Sequence, residues 1–293
     1  MSNLAALEPL RTAKHKAAKK WWWWQLEAKS TAIRTVRRRK PYRYDPDRYY
    51  NTFLAIDPPP VTRPMQEEAP NIVWCAWTGD NELSPNREAA LESIRASNPA
   101  SDVILVTPEN VADFIVEGSP RHPIYEHLSL VHRSDYLRAY LMYHHGGAYT
   151  DLKRQRGSLS EAIELLNADP DRWLVAGPIP RFPAQLERES VLERDCRMEF
   201  QVLPCGGAFA LKAGSPLAHE WYAELHRRCD YFLEPARRNP GEVWGLWHPN
   251  IHNTRYPIHW NVLQANILEP LCLKYHEHLL LEDRFRPQLD NYR

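Results

Sequence analysis

The sequence predicts an α/β domain with a mostly parallel sheet, and two apolar runs separated by a helical segment support that prediction. Residues 71–77 (NIVWCAW) are rich in strand-forming residues, and residues 102–106 (DVILV) form an apolar run typical of buried parallel strands. Ser84-Pro85 begins a helix between them, and apolar residues then recur at helical spacing. A strand, a helix and a second strand are the usual opening of a right-handed α/β crossover.

The next elements lead to an acidic residue at the end of a strand. Thr107-Pro108 begins a short helix that runs to Phe114. Residues 128–145 predict a longer helix with one apolar stripe, formed by Leu130, Ser134, Leu137 and Leu141. Gly146-Gly147 ends this helix as a C-cap pair, and residues 148–151 return as a short strand. Asp151 then lies at the strand's end, where ligands bind in open α/β sheets.

The second half of the domain is predicted in less detail. Residues 207–212 form an apolar strand that leads into a helix over 217–232. Cys205-Gly206-Gly207 precedes that strand, and its glycines suit either a tight loop or a close approach to a ligand. A stretch rich in Trp and His covers 244–261, and a helix over 260–278 follows it.

Composition excludes several classes of protein. The 293 residues are 43% hydrophobic and 25% charged, which is ordinary for a globular protein and excludes general disorder. No apolar run of about 18 residues occurs, and the N-terminal residues lack the apolar core of a secretory signal. The five cysteines form no C-x-x-C pair, so a zinc ribbon or a thioredoxin-like site is not expected. We therefore predict a cytoplasmic protein.

The zero net charge hides a basic N-terminal segment. Residues 1–48 contain thirteen Lys or Arg against four Asp or Glu, hence +9, so the other residues carry −9. Residues 11–40 lack Pro and Gly and predict a helix, which includes four consecutive tryptophans, Trp21 to Trp24. Residues 57–70 hold five prolines and predict an extended linker. The expected organisation is an extension over 1–56, a linker over 57–70 and the catalytic domain over 71–293.

Three roles for the basic segment stay open. It packs some of its tryptophans on the domain, or it contacts an anionic membrane, with Trp at the headgroups and Lys or Arg on lipid phosphates. In the third role its Trp and Lys residues bind nucleic acid. The membrane role implies a peripheral location on the inner membrane face. Nucleic-acid binding leaves the motif described next unexplained, and no nucleic-acid partner is expected.

Residues 134–152 (SDYLRAYLMYHHGGAYTDL) resemble the signature of DXD-type glycosyltransferases that use sugar nucleotides. More narrowly, the chain is similar to the capsular polysaccharide synthesis proteins, which are related to initiating mannosyltransferases and to the glucosylating clostridial toxins. The first strand followed by Trp77-Thr78-Gly79 fits the same pattern. The resemblance covers residues 71–155 well and 200–235 loosely, and it does not extend to the basic segment.

The resemblance implies a fold of the GT-A type, a Rossmann-like and mostly parallel sheet flanked by helices, and transfer of a sugar to a glycan acceptor. The implied donor is a nucleotide sugar. The implied acceptor is a saccharide or lipid-linked glycan precursor in capsular or cell-surface polysaccharide synthesis. A hexosyltransferase that retains the anomeric configuration fits the relatives best. A non-catalytic relative that only binds a nucleotide or glycan is the alternative.

The motif assigns roles to six residues. Asp151 is the predicted catalytic residue and metal ligand, and Trp77, Asp135, Arg138, Tyr149 and Lys153 are predicted to bind the donor. Asp135 and Arg138 share one helix face because they are three residues apart; the alternative is an exposed intrahelical ion pair. Trp77 stacks on the donor's base or is a core tryptophan, and both interpretations stay open.

The sequence predicts a metal site less strongly than the family pattern does. A divalent cation, Mn²⁺ or Mg²⁺, would bridge Asp151 and the donor diphosphate. The familiar second acid is replaced by Lys153, so we expect a weak or dispensable metal, with Lys153 and Arg154 or Arg156 neutralising the diphosphate instead. His259 is a further candidate ligand. His248 and His252 do not form HExxH, which excludes a zincin-type protease. Trp244, Trp247 and Trp260 could stack on acceptor sugars.

Overall fold

The computed structural model describes residues 4–180, 190–245 and 255–288, with backbone alone for 4–17 and Lys19. Trp247, His248 and His252 lie outside these residues.

A six-stranded mixed sheet forms the centre of the domain. Its strands are β1 (Ile72–Ala76), β2 (Asp102–Val106), β3 (Gly147–Thr150), β4 (Leu174–Pro178), β5 (Pro204–Leu211) and β6 (Leu279–Leu281). Their order is β2-β1-β3-β5-β4-β6. β1 pairs in parallel with β2 and β3, β4 pairs in parallel with β6, and β5 runs antiparallel to both β3 and β4. The predicted α/β class with a mostly parallel sheet is confirmed.

Helices cover both faces of this sheet. They are α1 (Leu4–Arg39), α2 (Pro85–Ser97), α3 (Leu130–His144), α4 (Leu159–Asn167), α5 (Val191–Met198), α6 (Pro216–Arg238) and α7 (Ala265–Lys274). Successive strand residues alternate between two hydrophobic clusters, as the two-residue period of a strand requires. Trp74 and Tyr149 face the cluster of α3, α6 and α7, whereas Val73 and Ala148 face that of α2 and α4.

Helix α3 joins the hydrophobic core to the carboxyl ends of the strands. The Ser129 hydroxyl caps its first turn by accepting a hydrogen bond from the His132 amide, at 3.3 Å. Gly146 (φ 70°) and Gly147 (φ 89°) end the helix in the left-handed region, which confirms the predicted C-cap pair. The predicted single apolar stripe is wrong, because all residues from Asp135 to His144 are buried. Leu130 and Ser134 are instead half-buried and line the cavity described below.

The N-terminal extension packs on the domain. One face of α1 contacts the domain, with Leu26 and Ile33 against Phe200. Further along, Tyr49 is fully buried, its hydroxyl donates to Asp195 at 3.1 Å, and Leu54 is buried in the main core. Residues beyond α1 are therefore structural parts of the domain, although the boundary at residue 56 stays a prediction.

The proline-rich segment 57–70 runs along the surface of the domain in an extended form. Gln66 exchanges hydrogen bonds with Ala213, Pro59 accepts one from His219, and Ala69 is buried. Of the helices in the described ranges, none combines the length and the apolar character that crossing a bilayer requires.

The C-terminal helix begins later in the chain than predicted. α7 begins at Ala265 rather than at Trp260. Residues 260–264 form a turn whose side chains line the cavity, so local helix propensity was overridden there by packing against the sheet.

Candidate active site

A cavity of about 810 Å³ opens where β1 and β3 end and β5 begins. This is the edge at which open α/β sheets bind ligands. Its walls come from the ends of these strands, the N-terminal half of α3, the start of α2 and the turn before α7. The lining residues used below are Trp77, Arg87, Ser134, Asp135, Arg138, Tyr149, Asp151, Lys153, Cys205, Gly206, Gly207, Trp244, Trp260, Asn261 and Gln264. All six residues to which the motif assigns a role lie in this one cavity. The further candidate ligand, His259, is not among the lining residues.

Asp151 directly follows β3 and lies between two cations. Its Oδ1 accepts a hydrogen bond from Arg138 Nη2 at 2.7 Å, and its Oδ2 accepts one from Lys153 Nζ at 2.8 Å. Burial would raise the pKa of Asp151, but Lys153, Arg138 and Arg87 outweigh it and hold the pKa below its ordinary value. Asp151 is therefore a carboxylate at neutral pH, and both of its oxygens are engaged.

Asp135 and Arg138 share one face of α3, as their spacing predicts. Arg138 Nη1 lies 3.4 Å from Asp135 Oδ1, so Arg138 bridges the two acids of the site. Both residues are buried, which is inconsistent with an exposed ion pair. Burial raises the pKa of Asp135 to about 7, with Arg138 opposing the rise and Asp151 adding to it. One of the two acids is thus fully charged at neutral pH and the other only partly.

The ring of Tyr149 supports the guanidinium of Arg138. The Arg138 Cζ lies 4.6 Å from the ring centroid, a cation–π distance. Tyr149 is buried, its hydroxyl is 3.0 Å from the Ser134 hydroxyl, and burial raises its pKa to about 12. Arg138 Nε is buried without a hydrogen-bond partner among the described residues. Arg138 is therefore held in place and still has a donor to offer.

The cavity contains more positive than negative charge. Besides Arg138 and Lys153, a third cation, Arg87, lines the cavity. Arg87 donates to the Leu152 carbonyl at 2.6 Å and contributes to the lowered pKa of Asp151. Three cations face two acids, Asp135 and Asp151, one of which is only partly charged. Sequence reasoning did not assign Arg87, because its role depends on how the first turn of α2 is aimed across the sheet. The surplus of positive charge suits an anionic ligand.

Trp77 packs partly on the core and partly lines the cavity, so stacking on a base stays a prediction. It follows β1, is half-buried, and packs partly on the hydrophobic cluster under α2. Its indole Nε1 donates to the Asn81 carbonyl at 2.7 Å, and the ring also lines the cavity. A ring fixed in this way offers a rigid stacking surface.

The start of β5 brings backbone close to Asp151. The Asp151 amide donates to the Gly207 carbonyl at 2.9 Å, and a Cβ on Gly207 would lie 3.1 Å from Asp151 Oδ2. A Cβ on Gly206 would lie 2.3 Å from Gln264 Nε2. Cys205-Gly206-Gly207 belongs to strand β5 and is a wall of the cavity rather than a tight loop, while the close approach of a ligand to its glycines stays a prediction.

Two tryptophans form the wall beside the start of α3. The rings of Trp244 and Trp260 are 5.7 Å apart with an interplanar angle of 39°. The Trp260 carbonyl is 3.3 Å from His132 Nε2, which ties this wall to α3. Neighbouring Asn261 and Gln264, which the sequence did not single out, also line the cavity. His259 is adjacent in sequence but does not belong to the described lining.

Residues 84–153 match the family model for the "Glycosyltransferase sugar-binding region containing DXD motif". The matched segment contains Asp135, Arg138, Tyr149, Asp151 and Lys153. This match supports glycosyl transfer. Among solved structures, the chain is similar to PaToxG Glycosyltransferase, with 12% identity, a TM-score of 0.33, and coverage of 74% of this chain and 75% of that chain. No match was found among curated proteins.

The residues around Asp151 do not fit a divalent cation in the arrangement observed. Lys153 occupies the position of the second acid, and the two oxygens of Asp151 already accept from cationic side chains. Within residues 4–180, 190–245 and 255–288, no three His, Cys, Asp or Glu side chains converge on a possible metal position. The ligand roles of Asp151 and His259 therefore stay predictions, and no step below passes through a metal.

Proposed function

We propose that this protein transfers a hexose from a nucleotide sugar to a saccharide or lipid-linked glycan precursor. The observation that supports this most strongly is the position of Asp151, between Arg138 and Lys153, inside a cavity whose charged lining residues all come from the region that matches the glycosyltransferase family. Capsular or other cell-surface polysaccharide synthesis, on the cytoplasmic side of an anionic membrane, is the proposed setting.

The order of the strands suggests how the donor lies. β1, β3 and β5 are neighbours, so Trp77, Asp151 and Gly207 follow one another along the sheet edge at strand spacings of about 5 Å. The base would stack on Trp77, the diphosphate would lie near Arg87 and Lys153, and the sugar would contact Asp135 and Arg138. Each donor group thus meets side chains of matching chemistry.

The reaction breaks the bond between the sugar's anomeric carbon and the diphosphate and forms one to an acceptor hydroxyl. In a retaining transfer both oxygens lie on the same face of the sugar, and the acceptor's proton passes to the departing phosphate oxygen. Lys153 and Arg138 would stabilise the charge that develops on the leaving diphosphate. Asp151 holds both cations in place, so its contribution is mainly orientation and charge balance.

The Trp244–Trp260 pair would stack on the acceptor sugar. It borders the cavity at the start of α3, and the turn that begins at Trp260 reaches Gly206 of β5 through Gln264. Aromatic faces bind the apolar faces of sugar rings, and the tilt of the pair creates a shallow cleft. The acceptor hydroxyl would then approach the donor sugar from the side of Gly206 and Gly207.

We also propose that the divalent cation expected of DXD enzymes is dispensable here. The ammonium group of Lys153 lies 2.8 Å from Asp151, in the part of the site where a bridging cation would be needed. Fixed cations of the protein can stabilise a diphosphate without a metal.

Nucleotide release from UDP-hexoses, GDP-hexoses and CMP-sugars tests the proposal, with thermal shift as an independent measure of binding. We expect one donor class to stabilise the protein and to be hydrolysed in EDTA at nearly the rate found in Mn²⁺. A lack of both binding and release across all donors would contradict the proposal, and a strict requirement for Mn²⁺ would contradict only the metal-independent version.

One observation favours a second candidate, a non-catalytic relative that binds a nucleotide or glycan. Both Asp151 oxygens are occupied by cations, which is also how a purely structural carboxylate behaves. In that case the donor would bind and shift the melting temperature, but Asp151→Asn would leave the biological role intact and no nucleotide would be released.

A further inference from the structure

We propose that α1 docks the protein on an anionic lipid bilayer and that the cavity opens on the side facing that bilayer. The docking surface consists of Trp21 to Trp24 and the exposed basic residues of α1. The claim about lipid binding stands alone, whereas its use in presenting a lipid-linked acceptor rests on the proposed function.

Helix α1 is fixed to the domain by one narrow face. Leu26, Ser30, Ile33, Arg34 and Arg37 follow one another at helical spacing and are the residues of this face that are buried or half-buried. Arg34 donates to the Pro180 carbonyl, and Arg37 pairs with Glu199, whose side chain is 2% exposed. These contacts place the rest of the helix surface outward and prevent free rotation about its axis.

The tryptophans lie just before this anchored portion and are exposed. Their exposed fractions are 60% for Trp21, 43% for Trp22, 40% for Trp23 and 62% for Trp24. Trp21 stacks on Trp24 with centroids 5.2 Å apart, and Trp22 meets Trp23 edge to face at 4.8 Å. Four exposed indoles in one turn of helix form a larger apolar surface than isolated surface residues do.

Positive charge lies on both sides of these indoles, with Lys20 and Lys29 nearby and a basic cluster at the C-terminal end of α1. Between residues 20 and 40, the exposed charged residues are five cations against the single acid Glu27; the cations are Lys20, Lys29, Arg38, Arg39 and Lys40. Indole rings favour the headgroup region of a bilayer, and Lys or Arg near an anionic surface gains attraction that salt weakens. An anionic lipid surface matches both properties.

The geometry of the indoles disfavours a protein groove as the partner. Consecutive residues of a helix point in directions about 100° apart, so the four rings surround the helix rather than lie on one face. A groove engages one face of a helix, whereas the headgroup layer of a bilayer can receive side chains from several directions.

The sheet places the anchored portion of α1 and the cavity at the same edge, and the tryptophans precede Arg34 by about 15–20 Å of helix. β4 runs in the same direction as β1 and β3, because β5 is antiparallel to both β3 and β4. β4 ends at Pro178, and Ile179 and Pro180 directly after it contact α1. Asp151 follows the carboxyl end of β3, so α1 and the cavity lie at one edge of the sheet, two strands apart.

Vesicle co-sedimentation of the full-length protein tests lipid binding. We expect binding to phosphatidylcholine vesicles that contain phosphatidylglycerol, a decrease in binding with salt, and little binding to phosphatidylcholine alone. Substitution of Trp21 to Trp24 by Gln, a good helix former, should weaken binding by about tenfold or more. Donor hydrolysis in solution should not change, so failure of lipid binding is distinguishable from failure of the proposed function.

A matched control substitutes four other exposed hydrophobic residues by Gln, at Tyr50, Ile56, Val61 and Tyr231, which are 76%, 52%, 63% and 76% exposed. We expect this variant to bind vesicles like the wild type. Circular dichroism shows whether each variant keeps its helices. Equal binding by the tryptophan variant and the wild type would overturn the proposal, as would complete competition by single-stranded RNA with no dependence on anionic lipid.

Fluorophore labels test the orientation. Glu82, close to the cavity, and Asp171, just before β4 at the opposite edge, are exposed positions for a single introduced cysteine. Vesicles containing brominated lipid should quench a label at residue 82 more than one at residue 171. The reverse order, or equal quenching at both positions, would contradict a cavity that faces the bilayer.

Discussion

Asp151 has one cation on each carboxylate oxygen, and this arrangement differs from the two-acid pattern of a DXD motif. The 2.7 Å contact with Arg138 ties the carboxylate to α3, and the 2.8 Å contact with Lys153 ties it to the chain just after β3. A DXD site uses its second acid to bind a cation, whereas here Lys153 is itself the cation at that sequence position.

Restoring the second acid should make the enzyme depend on a metal. In Lys153→Asp the ammonium group is lost and a carboxylate takes its position, so donor turnover should disappear in EDTA and return in part with Mn²⁺. Lys153→Met is the control, because it removes the charge without adding an acid, and Mn²⁺ should not rescue it. Full activity of Lys153→Asp in EDTA would show that Lys153 does not replace a metal.

Asp135 gives the protein a characteristic pH dependence. Burial raises its pKa to about 7, so between about pH 4 and pH 7 the folded chain retains a proton that the unfolded chain has lost. The stabilisation that this proton provides is complete below the ordinary Asp pKa and is lost as the pH rises through 7. The lowered pKa of Asp151 acts in the opposite direction and is common to the wild type and an Asp135 variant.

We therefore expect Asp135→Asn to gain stability relative to the wild type as the pH rises. The difference in free energy of unfolding, measured by urea denaturation, should grow from about pH 4 to pH 7 and then remain constant. A difference that is constant over this range would mean that Asp135 titrates normally in the folded protein.

At the scale of single elements, strands β1, β2, β3 and β5 followed from the sequence, whereas β4 and β6 did not. The apolar runs at β1 and β2 and the Gly146-Gly147 pair specify their structures locally. β6 has only three residues, and β4 was not recognised, because these strands are stabilised by neighbours distant in sequence.

The same distinction applies to the site. The helix spacing placed Asp135 beside Arg138, and the strand end placed Asp151 in a cleft. Their burial could not be predicted, because it depends on the distant segments 243–245 and 255–264 that close over α3. Arg87 was missed for a related reason, since nothing in its local sequence indicates that α2 directs it towards Asp151.

The Trp244–Trp260 pair should determine acceptor use. Trp244→Ala is expected to raise the acceptor KM by about tenfold or more, since a lost aromatic stacking contact costs roughly 1–3 kcal/mol. Hydrolysis of the donor by water should change little. Measuring the rate of transfer to the acceptor beside the rate of donor hydrolysis tests this prediction. Trp244→Phe, which keeps an aromatic face, is the control. A fall in donor hydrolysis equal to the fall in transfer would instead place Trp244 at the donor.

The segment after α1 should be required for folding. Tyr49→Ala removes a fully buried ring and should cost about 3–5 kcal/mol of unfolding free energy, whereas Tyr49→Phe loses only the hydrogen bonds to Asp195 and Tyr42, worth about 1 kcal/mol each. Deletion of residues 1–25 should leave the melting temperature unchanged, and deletion of 1–56 should lower it. Equal melting temperatures for both deletions would show that the segment is dispensable.

At the scale of the whole molecule, the residues with proposed functions lie at one edge of the sheet. The carboxyl ends of β1, β3 and β4 and the start of β5 lie there, so the acids of α3, the glycines of β5 and the contacts of α1 share one side of the domain. The charge of the chain is also unevenly distributed, because the excess of basic residues lies in the N-terminal extension. A membrane-linked acceptor would bring these features together.

Nucleotide release by the wild type and by Asp151→Asn, in EDTA and with the donor that binds best, tests the central claim most directly. Removing the charge that orients Arg138 and Lys153 should reduce release by about 100-fold or more, while the donor still shifts the melting temperature of the variant. Release at the same rate from both proteins would contradict the account, because Asp151 would then take no part in sugar transfer.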